Sequence, residues 1–171
     1  MRKTVEGGGV VMLVVLFWIT YAALNGPQQL PLRVPTHFDI SGRPNAWGSP
    51  QVLWLLPVIG TCLYLLMTAL ATIRFRNYNL PVRVTDRNLP FIHEKTGEMI
   101  AWIKLEVLSL FVYIQWSIIE GARAGEFHLP PMMIPVFLVL IFATVGWYLA
   151  IIIKGARALS ESPDSADRAK Y

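Results

Sequence analysis

MMIPVFLVLIFATVGWYLAIII, residues Met132 to Ile153, runs for 22 positions without a Lys, Arg, His, Asp or Glu. As a helix rising 1.5 Å per residue it would reach roughly 33 Å, enough to cross a hydrocarbon core about 30 Å thick. A segment apolar on every side has no polar face to offer water, so it belongs inside a large core or inside a bilayer. A chain of 171 residues has little core to hide it in. Pro130, Pro131 and Pro135 cluster at its opening, where a missing backbone donor costs least.

Working outward, the same pattern recurs. Val52 to Ile73 is a second 22-residue run whose most reactive side chain is the thiol of Cys62, with Pro57 in its first turns. Gly7 to Leu24 is charge-free for 18 residues, which reaches roughly 27 Å. Arg2 and Lys3 precede it as they would in a signal peptide. Those peptides have a shorter apolar core and a small-x-small cleavage site, so the block is expected to stay as a span. Met99 to Ile119 is less clean, because Lys104, Glu106 and Gln115 interrupt it. Starting after Glu106 would leave a run too short to cross, so the helix is expected to begin near Pro90 or Thr96 and carry the charges into the membrane zone.

The expected fold is an all-α membrane protein of four transmembrane helices, with an ordered Pro/Gly-rich outward loop between the first two. The composition agrees, with 54% hydrophobic and 15% charged residues, against about 25% charged in an ordinary soluble domain. The net charge of +4 does not point to nucleic acid, because the basic residues form no groove-facing patch. Two Lys/Arg lie before the first span, five between Arg74 and Glu98, and four after the last, which makes eleven on one side. The other side holds Arg33, Arg43 and Arg123. The positive-inside rule then makes both termini cytoplasmic. The organisation expected is a two-span module over 1–73 with its outward loop at 25–51, a basic cytoplasmic loop at 74–98, a helical hairpin over 99–153 and a polar cytoplasmic tail at 154–171. From Ser160 onward the tail reads as disordered.

Within the third helix, Lys104 and Glu106 stand about 200° apart and cannot pair with each other. Lys104 is close enough to the cytoplasmic end to snorkel toward the headgroups, its stem lying along the helix. Glu106 shares a face with Met99, Trp102, Ser109, Tyr113, Ser117 and Glu120. That polar and aromatic stripe is expected to point into the bundle. The carboxyl would sit about 9 Å inside the membrane edge, held by a hydrogen bond to a neighbouring helix or by water, or else used to handle a proton or ligand.

The loop from Asn25 to Gln51 carries five prolines and three glycines. Pro31 and Pro35 hold the residues before them extended, Gly42 and Gly48 permit turns, and Phe38 and Trp47 can anchor at an interface. Asp39 is expected to cap the Ser41–Gly42 turn. His37 and Asp39 face the same side as Glu126 and His128 of the last outward loop. A mixed metal site there is conceivable, but without ligand spacing these groups read as hydrogen-bonding loop residues. No catalytic motif, metal-ligand pattern or cofactor loop is visible.

The sequence Leu30-Pro31-Leu32-Arg33-Val34-Pro35-Thr36-His37-Phe38, followed by Gly42-Arg43-Pro44-Asn45-Ala46-Trp47-Gly48-Ser49, resembles the signature of the domain-of-unknown-function 1648 family. That signature is approximately LP-x-x-(I/V)-P-x-H-(F/W), then G-x-P-(D/N)-x-W-G-(S/T). The likeness spans roughly residues 10 to 70. The same domain opens SdpI-type bacterial membrane proteins, which give immunity to a secreted toxin and signal through a membrane-sequestered repressor. The resemblance implies a bacterial cytoplasmic membrane and an immunity or sensing module that meets a peptide toxin or another membrane protein at the outer face. The later part, with Leu80-Pro81-Val82 and the charged third helix, departs from the second half of those immunity proteins. A non-catalytic accessory subunit of a larger membrane complex is the competing expectation.

Overall fold

The long apolar runs become long helices, because apolar side chains leave the backbone no competing hydrogen-bond partner. The computed structural model of the chain describes residues 2–73, 80–127 and 129–161. Helix α1 spans Arg2–Asn25, and a 3-10 turn at Pro50–Trp54 leads into α2, Leu55–Thr72. They are followed by α3, Leu89–Ala124, and α4, Met133–Glu161. Arg74 and Arg76 of the basic loop, His128 and the tail beyond Glu161 lie outside the described residues.

Three of the helical segments are long and apolar enough to cross a membrane, namely Arg2–Asn25, Pro50–Thr72 and Met133–Ser160. Only 22%, 17% and 11% of their apolar windows are buried within the chain. Most of that apolar surface therefore faces outward, with Trp18, Leu65, Val139 and Phe142 among the exposed side chains. Such an exterior suits hydrocarbon and not water.

Helix α3 is the hub, packing against α1, α2 and α4. At 36 residues it is the longest helix, and it begins at Leu89, next to the expected Pro90. Its start is fixed by a reciprocal pair in which the Thr85 amide donates to Asn88 Oδ1 and the Asn88 amide donates to Thr85 Oγ1. Asn88 is fully buried and also donates from Nδ2 to the carbonyl of Ala156 in α4. Beside it Ile92, Ile152 and Ala156 form a small core covered by Leu80, Val82 and Val84. The Phe91 ring rests directly on the α4 backbone here, since a Cβ on Gly155 would lie 2.3 Å from Phe91 Cζ. The expected polar tail from residue 154 is thus corrected in its first part. The α4 helix continues to Glu161 because Ala156 still has an apolar surface to pack on.

The all-α expectation also needs correction at the loop between α1 and α2. Two strands, β1 at Val34–Phe38 and β2 at Pro44–Gly48, pair antiparallel with Val34 opposite Gly48 and Pro35 opposite Trp47. Prolines are tolerated because each strand of a two-stranded ribbon is an edge. Register shifts between Pro35 and Phe38 absorb the irregular pairing. The main core sits below this ribbon, where Val34 is wholly buried among Ala23, Leu53, Ile118, Ile119 and Ala122.

Candidate functional site

Two places concentrate polar chemistry, the β-hairpin at one end of the bundle and the middle of α3. In the hairpin turn, Asp39 Oδ1 accepts from the Ser41 amide at 2.9 Å, the Ser41 hydroxyl at 2.7 Å and the Arg43 amide at 2.9 Å. The Ser41 and Arg43 hydrogen bonds hold its carboxyl below the ordinary carboxylate range. Asp39 therefore caps the turn as its spacing suggested. Gly42 completes it with φ +78°, and its carbonyl accepts from the Leu129 amide at 3.0 Å. A Cβ there would lie 1.8 Å from the Leu129 carbonyl oxygen, so the α1–α2 loop and the α3–α4 loop meet at a contact only glycine allows.

A second tie joins the same loops, since the Trp47 ring meets Phe127 edge-on with centroids 5.0 Å apart. Phe38 packs on the core, and Pro35 is among the fully buried side chains. Gly48 lies against Thr36, where a Cβ would come within 2.8 Å of its methyl group. Pro31 stands before β1, and Pro44 opens β2 opposite Phe38. His37 Nδ1 and Asn45 Oδ1 are hydrogen-bonded across the ribbon, and both residues remain exposed. The signature residues thus divide into those that pin the hairpin and a polar pair that it presents.

The structure does not bring His37, Asp39 and Glu126 together as ligands. Among the described residues no group of three or more His, Cys, Asp or Glu is placed to hold a metal ion.

Of Lys104 and Glu106 in α3, Glu106 meets a neighbouring helix as expected, whereas Lys104 does not take the role expected of it. Lys104 does not snorkel, being only 1% exposed. Its Nζ donates to Glu6 Oε2 of α1 and, at 2.7 Å, to Thr68 Oγ1 of α2, and it lies 4.1 Å from the centre of the Tyr64 ring. The physical reason is proximity of charge. An ammonium that finds a carboxylate within reach is better placed beside it than stretched toward distant headgroups. Further along the same face, Gln115 donates to Thr20 Oγ1 at 2.7 Å and to the Leu53 carbonyl at 2.9 Å. Between the two clusters Leu16 and Leu108 are buried, so the interior of α1, α2 and α3 is closed packing with two polar ties.

Glu106 faces α4 instead. Its Oε1 accepts from Thr144 at 2.6 Å, while Oε2 is buried without a hydrogen-bond partner among the described residues. The stripe of Trp102, Ser109, Tyr113 and Ser117 is half-buried and Glu120 is exposed, so this face meets α4 at Glu106 but does not form the bundle's interior. The buried face is that of Ala101, Lys104, Leu108 and Gln115.

With this geometry in hand, comparison with known proteins bears on the first third of the chain. Residues 11–61 match the family model of a domain of unknown function, DUF1648. The DUF1648 segment runs from inside α1, through the hairpin, into α2. It contains every signature residue that pins or decorates the ribbon, and excludes both Glu6 and Lys104. An uncharacterized protein of Archaeoglobus fulgidus is 25% identical over 146 residues, covering 78% of this chain and 77% of its own length. That similarity extends well beyond the DUF1648 segment. No solved structure matches the chain.

Glu6, Tyr64, Thr68 and Thr20 escaped the sequence reading. One signal was available for Glu6, because it is the lone acid preceding the first apolar run, on the side where Lys104 was expected to enter the membrane.

Proposed function

We propose that the chain is a four-span protein of a prokaryotic cytoplasmic membrane, with both termini inside, and that its hairpin is a recognition surface at the outer face. In this reading it is a non-enzymatic sensing or immunity-type module, as the resemblance to SdpI-type proteins suggests. One observation carries the proposal. The ribbon is fastened at Val34, Gly42 and Trp47, yet its His37–Asn45 pair is left exposed. Rigid backbone beneath exposed polar groups is what a binding surface needs, since little ordering entropy remains to be lost on binding. The eleven-to-three asymmetry of Lys and Arg supports the orientation.

The test has two parts. With Cys62 removed, a cysteine at Ser41 should react with an impermeant reagent in intact cells and one at Thr85 should not, and the reverse pattern overturns the topology. His37→Ala or Asn45→Ala should abolish protection against the toxin, or capture of the partner, while folded yield stays near the parent's. Loss of yield and response together in both variants and in Trp47→Ala would make the hairpin a latch and not a recognition surface.

A further inference from the structure

Lys104 and Gln115 find partners on the segments packed against them, although Glu6 Oε1 and Gln115 Oε1 are, like Glu106 Oε2, buried without a hydrogen-bond partner among the described residues. What sets the seam between α3 and α4 apart is that it is open. An open groove of ≈480 Å³ runs along it, lined by Trp102, Glu106, Leu140, Thr144, Trp147 and Tyr148 among others. Its volume falls within the range of small-molecule sites, roughly 300–1,000 Å³. Trp147 is 69% exposed beside it, while Tyr148 is 5% exposed and forms fixed wall. The carboxyl of Glu106 receives a single hydrogen bond, from Thr144, and its other oxygen has no partner among the described residues.

Among the described residues no cation is shown to serve this carboxyl. Lys104 is committed to Glu6 and Thr68 on the opposite side of α3. A carboxylate in apolar surroundings attracts positive charge strongly, because the low dielectric leaves its field unscreened. Trp102, Trp147 and Tyr148 line the same groove, and aromatic rings favour the same sign of charge over their faces, while Leu140 and Ala143 add apolar wall.

We propose that this groove binds a lipophilic organic cation, a quaternary or similarly shielded charge on an apolar body, drawn from the membrane. A shielded cation matches the site in two respects. It needs only proximity to Glu106 and not a direct hydrogen bond to the buried oxygen, and its apolar body loses nothing by lying between aromatic side chains. The inference rests on α3 and α4 alone and is independent of the outward hairpin, so either can fail without the other.

The full chain in lipid nanodiscs should bind radiolabelled tetraphenylphosphonium saturably, after subtraction of empty discs. Tetraphenylborate, of the same shape and opposite charge, should not compete. Glu106→Gln, which keeps an acceptor for Thr144, should weaken binding at least tenfold. Trp147→Ala, at an exposed position, should weaken it several-fold with folding intact. Uptake no greater than in empty discs overturns the proposal, as does equal competition by tetraphenylborate. Unchanged affinity in folded Glu106→Gln does so too. If Glu106→Gln fails to fold, charge selectivity together with Trp147→Ala decides the matter alone.

Discussion

Lys104 and Glu106 lie two residues apart on one helix, yet they occupy different environments. The Lys104 face of α3 is sealed by α1 and α2 and supplies the ammonium with a carboxylate, a hydroxyl and an aromatic ring. The Glu106 face meets only α4, which gives it one hydroxyl and an open groove. The difference teaches that the cost of a charge in an apolar setting is decided by what the neighbouring helices bring to it, and not by its own depth.

The sharpest way to break this comparison is to remove Lys104. Lys104→Met leaves Glu6 facing the core with its main partner gone, and unfolding in detergent should show a loss of about 3 kcal/mol, at the lower end for a broken buried pair because Glu6 keeps partial exposure. Adding Glu6→Leu should restore most of that loss, since deleting both charges leaves none uncompensated. Stability of the single variant equal to the parent's would return Lys104 to the snorkelling role.

Gln115→Leu examines the same face without charge. It strands the Leu53 carbonyl but leaves Thr20 bonded to Leu16, and should lower stability by about 1 kcal/mol, the net value of a neutral buried hydrogen bond. Thermal denaturation of the purified chain measures it, and a loss rivalling Lys104→Met would erase the distinction between charged and neutral ties.

Across the helix, Glu106→Leu should change stability by less than about 1 kcal/mol, because interhelical hydrogen bonds in membranes average roughly 0.6. This reverses the order the sequence suggested, in which Glu106 was expected to be coupled and Lys104 indifferent. A larger loss from Glu106→Leu than from Lys104→Met would reinstate that order.

The smallest effect is expected at Asp39, where charge sits in water. Its carboxyl has a lowered folded-state pKa, so its stabilising contribution is present above the unfolded value of 3.8 and lost as pH falls through the lower folded one. Amide exchange of Ser41 and Arg43 should therefore show constant protection from neutral pH down through the ordinary carboxylate range, with loosening only in stronger acid. Loosening already near pH 5 would contradict the hydrogen-bonded turn.

Much of the fold was legible before any coordinates. Val52–Ile73 is helical within a few residues of the bounds its hydropathy gave, the helix over Met132–Ile153 starts where expected but runs on to Glu161, and α3 starts next to Pro90. The Asp39 cap was legible because an Asx turn is local, its acceptor and donors lying within four residues. The hairpin was not read from the loop, although the Asp39-Ile40-Ser41-Gly42 turn stands between two extended segments. Pro31 and Pro35 marked extended backbone without marking a partner for it, and only the pairing itself shows that both strands are edges.

By itself the sequence determined what depends on near neighbours: where helices run, that three of the segments are apolar enough for a bilayer while the charged α3 is not among them, and where the loop must turn. Tertiary structure alone decided which face of α3 is interior and which partner each charge meets. Glu6 and Lys104 are 98 positions apart, and nothing in the periodicity of either helix encodes their meeting. In a chain whose helices are apolar nearly all round, hydropathy fixes length but leaves rotation about the axis open. That rotation is settled when side chains from separate helices pack together.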